Sequence, residues 1–343
     1  MKAVQLVAHG SPGRFVFVDL PDPVAAADEA VVRVHACGLN RLDLWAEQGE
    51  LPIRIALPRV LGCEVAGEIT AVGSDIADFR SGDRVTVQSN LFCGACAFCL
   101  AGEESLCLKG ELLGIQRDGG FEEEIAVPAR SLVRLPEKVS FETAAALTLA
   151  GSTAMHMLTH RAPVTSGKWV LVMAGASGVG SAAIQIARSL GAYVIATASS
   201  EPKRELASKL GAQYLVDSTR DDWPAEVRRI TEKRGVDVIV EHVGGPVLEK
   251  AFECLARGGT IVTCGATAGR EVRLQLWPFF VKEHRLVGSY GRNREDLERT
   301  LEWAATGRLD PAIDRVFPLA ETVQALSRLR DRLVLGKVLI KPG

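Results

Sequence analysis

The sequence predicts an α/β protein in two parts: a β-rich domain, then an open, doubly wound parallel sheet. Up to about residue 135 the chain reads as short strands cut by Gly, Pro and Asp, and from Lys168 apolar strands alternate with helical segments. A glycine-rich turn, Gly175-Ala176-Ser177-Gly178-Val179-Gly180, joins the first of those later strands to an amphipathic helix. At 343 residues the chain exceeds what one core usually supports, and 47% hydrophobic residues can fill two. The expected organisation is 1–150 for the first domain, with a lobe at 90–110, 151–291 for the second, and 292–343 as a return segment completing the first.

In the first domain the strand candidates are residues 30–36, 65–72, 83–87 and 123–127. In the second they are 169–173, 194–198, 236–240 and 260–264, whose continuous apolar character suits strands covered on both faces. The helix after the turn carries Val179, Ala183, Ile186, Ala187 and Leu190 on one face for packing on a sheet, and Gly191 ends it. Beyond Arg292 come two helical segments and a terminal strand, 337–340, placed to return to the first domain. Net charge is −2, from 40 basic and 42 acidic residues spread along the chain, which offers no electrostatic footprint for nucleic acid or anionic lipid. The start lacks an apolar signal stretch and no run of about 18 apolar residues occurs, so a cytoplasmic protein without membrane association is expected.

Strand, glycine turn and amphipathic helix occur in the order a dinucleotide site requires, with amides at the helix start free to hold a pyrophosphate. Gly175, Ser177, Gly178, Val179 and Gly180 are the candidate contacts, with Ser177 standing where the pattern has its middle glycine. Cofactor choice is read about 20 residues on, at the end of the second strand. There Ala198 is followed by Ser199, Ser200, Glu201, Pro202, Lys203 and Arg204. The absent strand-end acid, the two serines and the two cations Lys203 and Arg204 favour NADP(H) over NAD(H), while Glu201 keeps NAD(H) open.

Four of the eight cysteines crowd together as Cys93-x2-Cys96-x2-Cys99-x7-Cys107. Four thiolates close a tetrahedral site with no open position, so one structural Zn2+ that orders the lobe is expected there. Cys254 and Cys264 read as core, and no chemistry is assigned to Glu111 or Glu122. His156 and His242 each read as hydrogen-bonded structural residues, with a place facing the active site as the alternative.

The residues also carry a family resemblance. Ala36-Cys37-Gly38-Leu39-Asn40 with Asp43, Leu61-Gly62-Cys63-Glu64-Val65-Ala66-Gly67, Gly82-Asp83-Arg84-Val85, the cysteine lobe, Gly119-Gly120-Phe121, the glycine turn and Gly336-Lys337-Val338 together make the chain resemble the medium-chain dehydrogenase/reductase family. That family groups zinc alcohol dehydrogenases with quinone oxidoreductases. The resemblance implies a GroES-like catalytic domain, a Rossmann domain, an active site in the cleft between them, and a homodimer or homotetramer. It also implies that Lys337 lies near the pyrophosphate and that Asn40, in Gly38-Leu39-Asn40, lies near the nicotinamide as a donor to substrate or cofactor.

The departures from the family pattern bear on chemistry. Of the catalytic zinc ligands only Cys37 is retained; Cys63 replaces the histidine and Leu149 the third ligand, while Leu39 and Leu42 replace the proton relay. Hydride addition to an isolated carbonyl leaves a localised alkoxide that a Lewis acid would stabilise by several kcal/mol. Addition to a quinone or enone gives a delocalised phenolate or enolate that a few hydrogen bonds can hold. The expected activity is therefore NADP(H)-dependent hydride transfer to a quinone or α,β-unsaturated carbonyl without catalytic zinc, with Asn40 and Cys37 as candidate catalytic residues. The alternatives are an alcohol or aldehyde dehydrogenase using an atypical Cys37/Cys63 zinc with Glu64, and a non-catalytic NADPH-binding protein.

Overall fold

The computed structural model describes residues 1–343 and divides into two compact units. One comprises Met1–Ser152, Arg292–Gly307 and Pro311–Gly343; the other comprises Thr153–Gly291 with Arg308–Asp310.

In the first unit a seven-stranded sheet runs Leu132–Arg134, Arg84–Val87, Glu64–Val72, Glu29–Gly38, Lys337–Lys341, Ile313–Pro318, and Glu124–Pro128 also pairs Glu29–Gly38. A three-stranded sheet of Arg14–Asp19, Lys2–Ala8 and Arg59–Val60 closes over it. Leu6, Leu61, Ile69, Phe121 and Leu132 fill the space between them, fully buried. Two registers set the positions of the polar residues in this unit. Gly38 pairs with Glu64, and Leu339 of the terminal strand pairs with Gly38 from the other side. A side chain at position 38 would collide with the Glu64 carboxylate and sit 2.8 Å from the Ala145 carbonyl oxygen, so the strands approach this closely because the residue is glycine.

The second unit is a six-stranded sheet in the order Tyr214–Asp217, Tyr193–Ala198, Trp169–Val172, Val236–Glu241, Leu255–Thr263, Arg285–Gly288, parallel throughout. The chain winds outward one way from Trp169–Val172 and then the other way from Val236–Glu241, so the strand order reverses between them. At the carboxyl ends of two such strands an α/β sheet leaves a crevice for ligand. The helix Gly178–Ser189 packs Ala183, Ile186 and Ala187, all fully buried, and Gly191 follows its end at φ +83°, a left-handed conformation that favours glycine.

Candidate active site

In the first unit the pairing of Gly38 with Glu64 on one side and Leu339 on the other brings Glu64, Asn40 and Lys337 into one buried network. The Glu64 carboxylate, wholly buried, accepts from Asn40 Nδ2 at 2.9 Å and from the backbone amides of Leu149 at 2.6 Å and Ala150 at 2.8 Å. Lys337, 3% exposed, forms an ion pair with Glu64 and donates to Leu39 O at 2.6 Å and Asn40 Oδ1 at 2.9 Å. An ammonium has three protons, and all three are used. Lys337 is therefore a buried counter-ion, where the resemblance placed it beside a pyrophosphate. Asn40 is likewise committed, because Nδ2 serves Glu64 and faces Cys63 Sγ at 3.7 Å while Oδ1 serves Lys337. Its expected donation to a substrate oxygen would require breaking this network.

Asp43, which heads the helix Arg41–Gln48, accepts from the amides of Asn40 at 2.7 Å and Gly62 at 3.1 Å. It thereby pins the turn carrying Asn40 against the turn carrying Cys63. Burial pushes its carboxyl up to about 7, against the opposing pull of those amides and of Lys337.

These contacts do not assemble a catalytic metal site. Burial raises both the Cys37 and Cys63 thiols well above their ordinary range, with the Asp43 carboxylate adding to the effect. Cys37 lies fully buried in the core of this unit. Glu64 has spent its oxygens, and backbone amides occupy the place of the third ligand at Leu149. Groups of three or more Cys, His, Asp or Glu with ligand atoms gathered within 4.8 Å occur once in the chain, and the Cys37, Cys63, Glu64 set is not that group.

The one such group is Cys93, Cys96, Cys99 and Cys107. Sulfur separations of 3.5 Å for Cys96 to Cys99 and 3.9 Å for Cys93 to Cys99 bracket the roughly 3.8 Å edge of a tetrahedron built on 2.3 Å zinc–sulfur bonds. The amides of Ala95 and Cys96 point at Cys93, and those of Cys99 and Leu108 hold Cys96 down to about 6, while burial and then the neighbouring sulfurs push Cys99 up to about 12, a thiol that a bound cation would have to deprotonate. The donor set fits zinc. The lobe also grips the return segment, because Ser105 N donates to Asn293 Oδ1 and Arg294 N to Glu104 Oε2, each at 3.1 Å. Next to Asn293, the fully buried Arg292 donates to Ser89 Oγ, which in turn donates to Cys63 O at 2.5 Å.

In the second unit Ser177 caps the helix Gly178–Ser189, its Oγ accepting from Gly180 N at 3.0 Å. A side chain at Gly180 would sit 2.9 Å from both Gly175 Cα and Ser177 Oγ, so this glycine lets the helix start close to the strand end. Ser177 Oγ also meets His242 Nε2 at 2.8 Å, across the point where strand order reverses. Near the end of the second strand Ser199 is exposed, and Ser200 precedes the helix Glu201–Lys209 that carries Lys203. Arg204 is tied to Glu201 at 2.7 Å and to Asp217 at 3.0 Å, and Asp217 lies opposite Ala198 in the sheet.

Sequence reasoning did not find the Asp43 hinge, the Arg292–Ser89 contact or the Ser177–His242 pair. The last had a signal: a hydroxyl residue in a glycine position, with a histidine two residues beyond the strand 236–240. Cys254 is fully buried as expected, and Cys264 is only partly covered.

Residues 26–137 match the alcohol dehydrogenase GroES-like domain, and residues 178–306 match the zinc-binding dehydrogenase domain. An alcohol dehydrogenase of Geobacillus stearothermophilus is 32% identical, over 94% of this chain and 95% of that protein. An acryloyl-coenzyme A reductase of Sulfurisphaera tokodaii is 30% identical over the full length of both. A crystal structure of an NAD-dependent alcohol dehydrogenase superposes with a TM-score of 0.96 at 39% identity, covering all of each chain.

Proposed function

Because the chain belongs to the medium-chain dehydrogenase/reductase family and is an NAD(P)-dependent oxidoreductase, we propose that it reduces α,β-unsaturated carbonyls, enoyl thioesters among them, or quinones, without a catalytic metal. One observation carries this reading: at the place of the family's catalytic zinc, Cys63 and Leu149 stand in place of two of the ligands, and the neighbouring Glu64 carboxylate is already bound on every side. The name of the Sulfurisphaera relative, a reductase of an α,β-unsaturated thioester, supports the same substrate class.

A bound nicotinamide would supply the hydride. The chain's own part is to hold the dinucleotide on the turn Gly175 to Gly180 and to keep the Asn40–Glu64–Lys337 network fixed and electrically balanced. Protons come from solvent, since Leu39 and Leu42 stand where the family has its relay. NADP(H) is the proposed cofactor, supported by Ala198, Ser199, Ser200 and Lys203. Arg204 contributes less, because Glu201 and Asp217 neutralise it.

We also assign the four-cysteine lobe one structural zinc, and the molecule a homodimeric or homotetrameric state in the cytoplasm. No helix is long and apolar enough to cross a membrane. Support for the dimer is an exposed apolar patch on the helix Leu276–Val281, where Leu276 is 66%, Trp277 74% and Phe280 56% exposed, close in sequence to the edge strand Arg285–Gly288. Open edges with apolar surface are habitual sites of self-association.

The deciding assay follows NADPH and NADH oxidation with quinones, enones, enoyl thioesters and aldehydes, alongside metal analysis. Turnover confined to the conjugated acceptors with one zinc per chain is expected. Aldehyde reduction abolished by removing a second zinc overturns the proposal, and tight NADPH binding with no turnover on any acceptor identifies a non-catalytic binding protein.

A further inference from the structure

We infer that His242 is a positioning residue for the cofactor: it donates to Ser177 Oγ and so turns the serine hydroxyl proton outward, toward the dinucleotide pyrophosphate. The inference rests on the reading that the turn Gly175 to Gly180 holds a nicotinamide dinucleotide.

The strands Trp169–Val172 and Val236–Glu241 are neighbours, with Val172 opposite Val240, so the residues leaving their carboxyl ends meet. Ser177 and His242 do so at 2.8 Å between Oγ and Nε2. The His242 backbone is held by Thr267, whose hydroxyl donates to His242 O at 3.2 Å. Its other ring nitrogen, Nδ1, is buried with no protein group in hydrogen-bonding reach. Burial lowers the imidazole pKa to about 4, so at neutral pH the ring carries a single proton on one of its two nitrogens.

The two placements are not equivalent. A proton on Nδ1 is a buried donor with no acceptor, and orphaned N–H groups are the rarer defect in folded proteins. A proton on Nε2 has Ser177 Oγ as its acceptor. A hydroxyl oxygen has two lone pairs and one proton. In the Nε2–H form both lone pairs of Ser177 are occupied, one by Gly180 N at 3.0 Å and one by His242, and its proton has no partner inside the protein. That proton joins the first amides of the helix Gly178–Ser189, which precede any intrahelical acceptor, at the point where strand order reverses. In place of the backbone approach that a middle glycine permits, the turn then offers a hydroxyl donor of fixed direction. A phosphate oxygen, anionic and rich in lone pairs, is its natural acceptor.

The test measures equilibrium binding of NADPH, NADH and ADP-ribose, which all contain the pyrophosphate, and of adenosine 2′-monophosphate, which does not. Ser177→Ala is expected to weaken the three pyrophosphate ligands about 10-fold, the scale of one hydrogen bond to a charged group, and to leave adenosine 2′-monophosphate unchanged. His242→Leu should weaken the same three by roughly 3- to 10-fold, and His242→Gln, whose amide can donate from the Nε2 position, should recover most of that loss. In a Ser177→Gly background, which also tests whether losses in Ser177→Ala come from misfolding, His242→Leu should have no further effect on affinity. Equal weakening of adenosine 2′-monophosphate, or losses from His242→Leu that persist in the Ser177→Gly background, overturns the inference and makes His242 a structural residue. Wild-type protein that binds none of the dinucleotides overturns the cofactor reading itself, a result separable from both.

Discussion

At the residue scale the most consequential arrangement is a carboxylate and an ammonium that are both buried and each fully hydrogen-bonded. Taking one partner away leaves an uncompensated charge in the interior, which costs more than the intact pair contributes. Lys337→Met should therefore destabilise the fold by roughly 3–5 kcal/mol in urea denaturation, and adding Glu64→Gln should return a large part of that loss. Glu122 is a second buried acid, 3% exposed, and burial followed by the nearby Asp118 pushes its carboxyl up to about 9. Linkage fixes the sign: the folded chain keeps a proton that the unfolded chain releases above about pH 4.5, so stability falls as pH rises from there toward 9. Glu122→Gln removes that penalty. Thermal unfolding should show the variant more stable than wild type at pH 8, by up to about 5 kcal/mol for a shift of this size, with the difference vanishing near pH 4.

At the scale of elements, the cysteine lobe and the terminal strand show how far local pattern reaches. The spacing of four cysteines announced a metal lobe, and the sulfur positions fit one. What spacing could not announce is that the lobe clamps the start of the return segment through Asn293 and Arg294. Cys96→Ser should lower zinc content from about one per chain to near zero and depress the melting temperature, since a structural site contributes folding energy directly. Activity per folded molecule at low temperature should stay within about 2-fold, because the lobe holds no reacting group; a complete loss would tie the metal to chemistry. The terminal strand was legible from its apolar run. Its antiparallel register beside Cys37 and Gly38 was not, because register depends on side chains from elements far apart in sequence. That register, and not the resemblance, decides that Lys337 faces Glu64.

At the scale of the whole molecule, the exposed aromatic pair Trp277 and Phe280, with rings 5.1 Å apart, belongs to the patch assigned to self-association. Trp277→Glu should halve the mass measured by light scattering in solution; an unchanged mass would remove this patch from the interface. The order of the chain is legible at this scale: a β-rich segment, alternating strands and helices, and a return. Strand and helix periods are local properties of ten or so residues, and the glycine turn advertises itself because the missing side chain, at Gly180 above all, lets the helix start close to the strand end. By itself, then, the sequence determined the fold class, the glycine-rich turn between strand and helix, and the clustering of four cysteines. Only the tertiary structure decided that Asn40, Glu64 and Lys337 satisfy one another, that Cys37 and Cys63 are both buried, and that His242 meets Ser177. These outcomes turn on desolvation and on hydrogen bonds only a few ångströms long between residues that lie from 23 to 298 positions apart, and such proximity is written in the sheet register and in no local stretch of the chain.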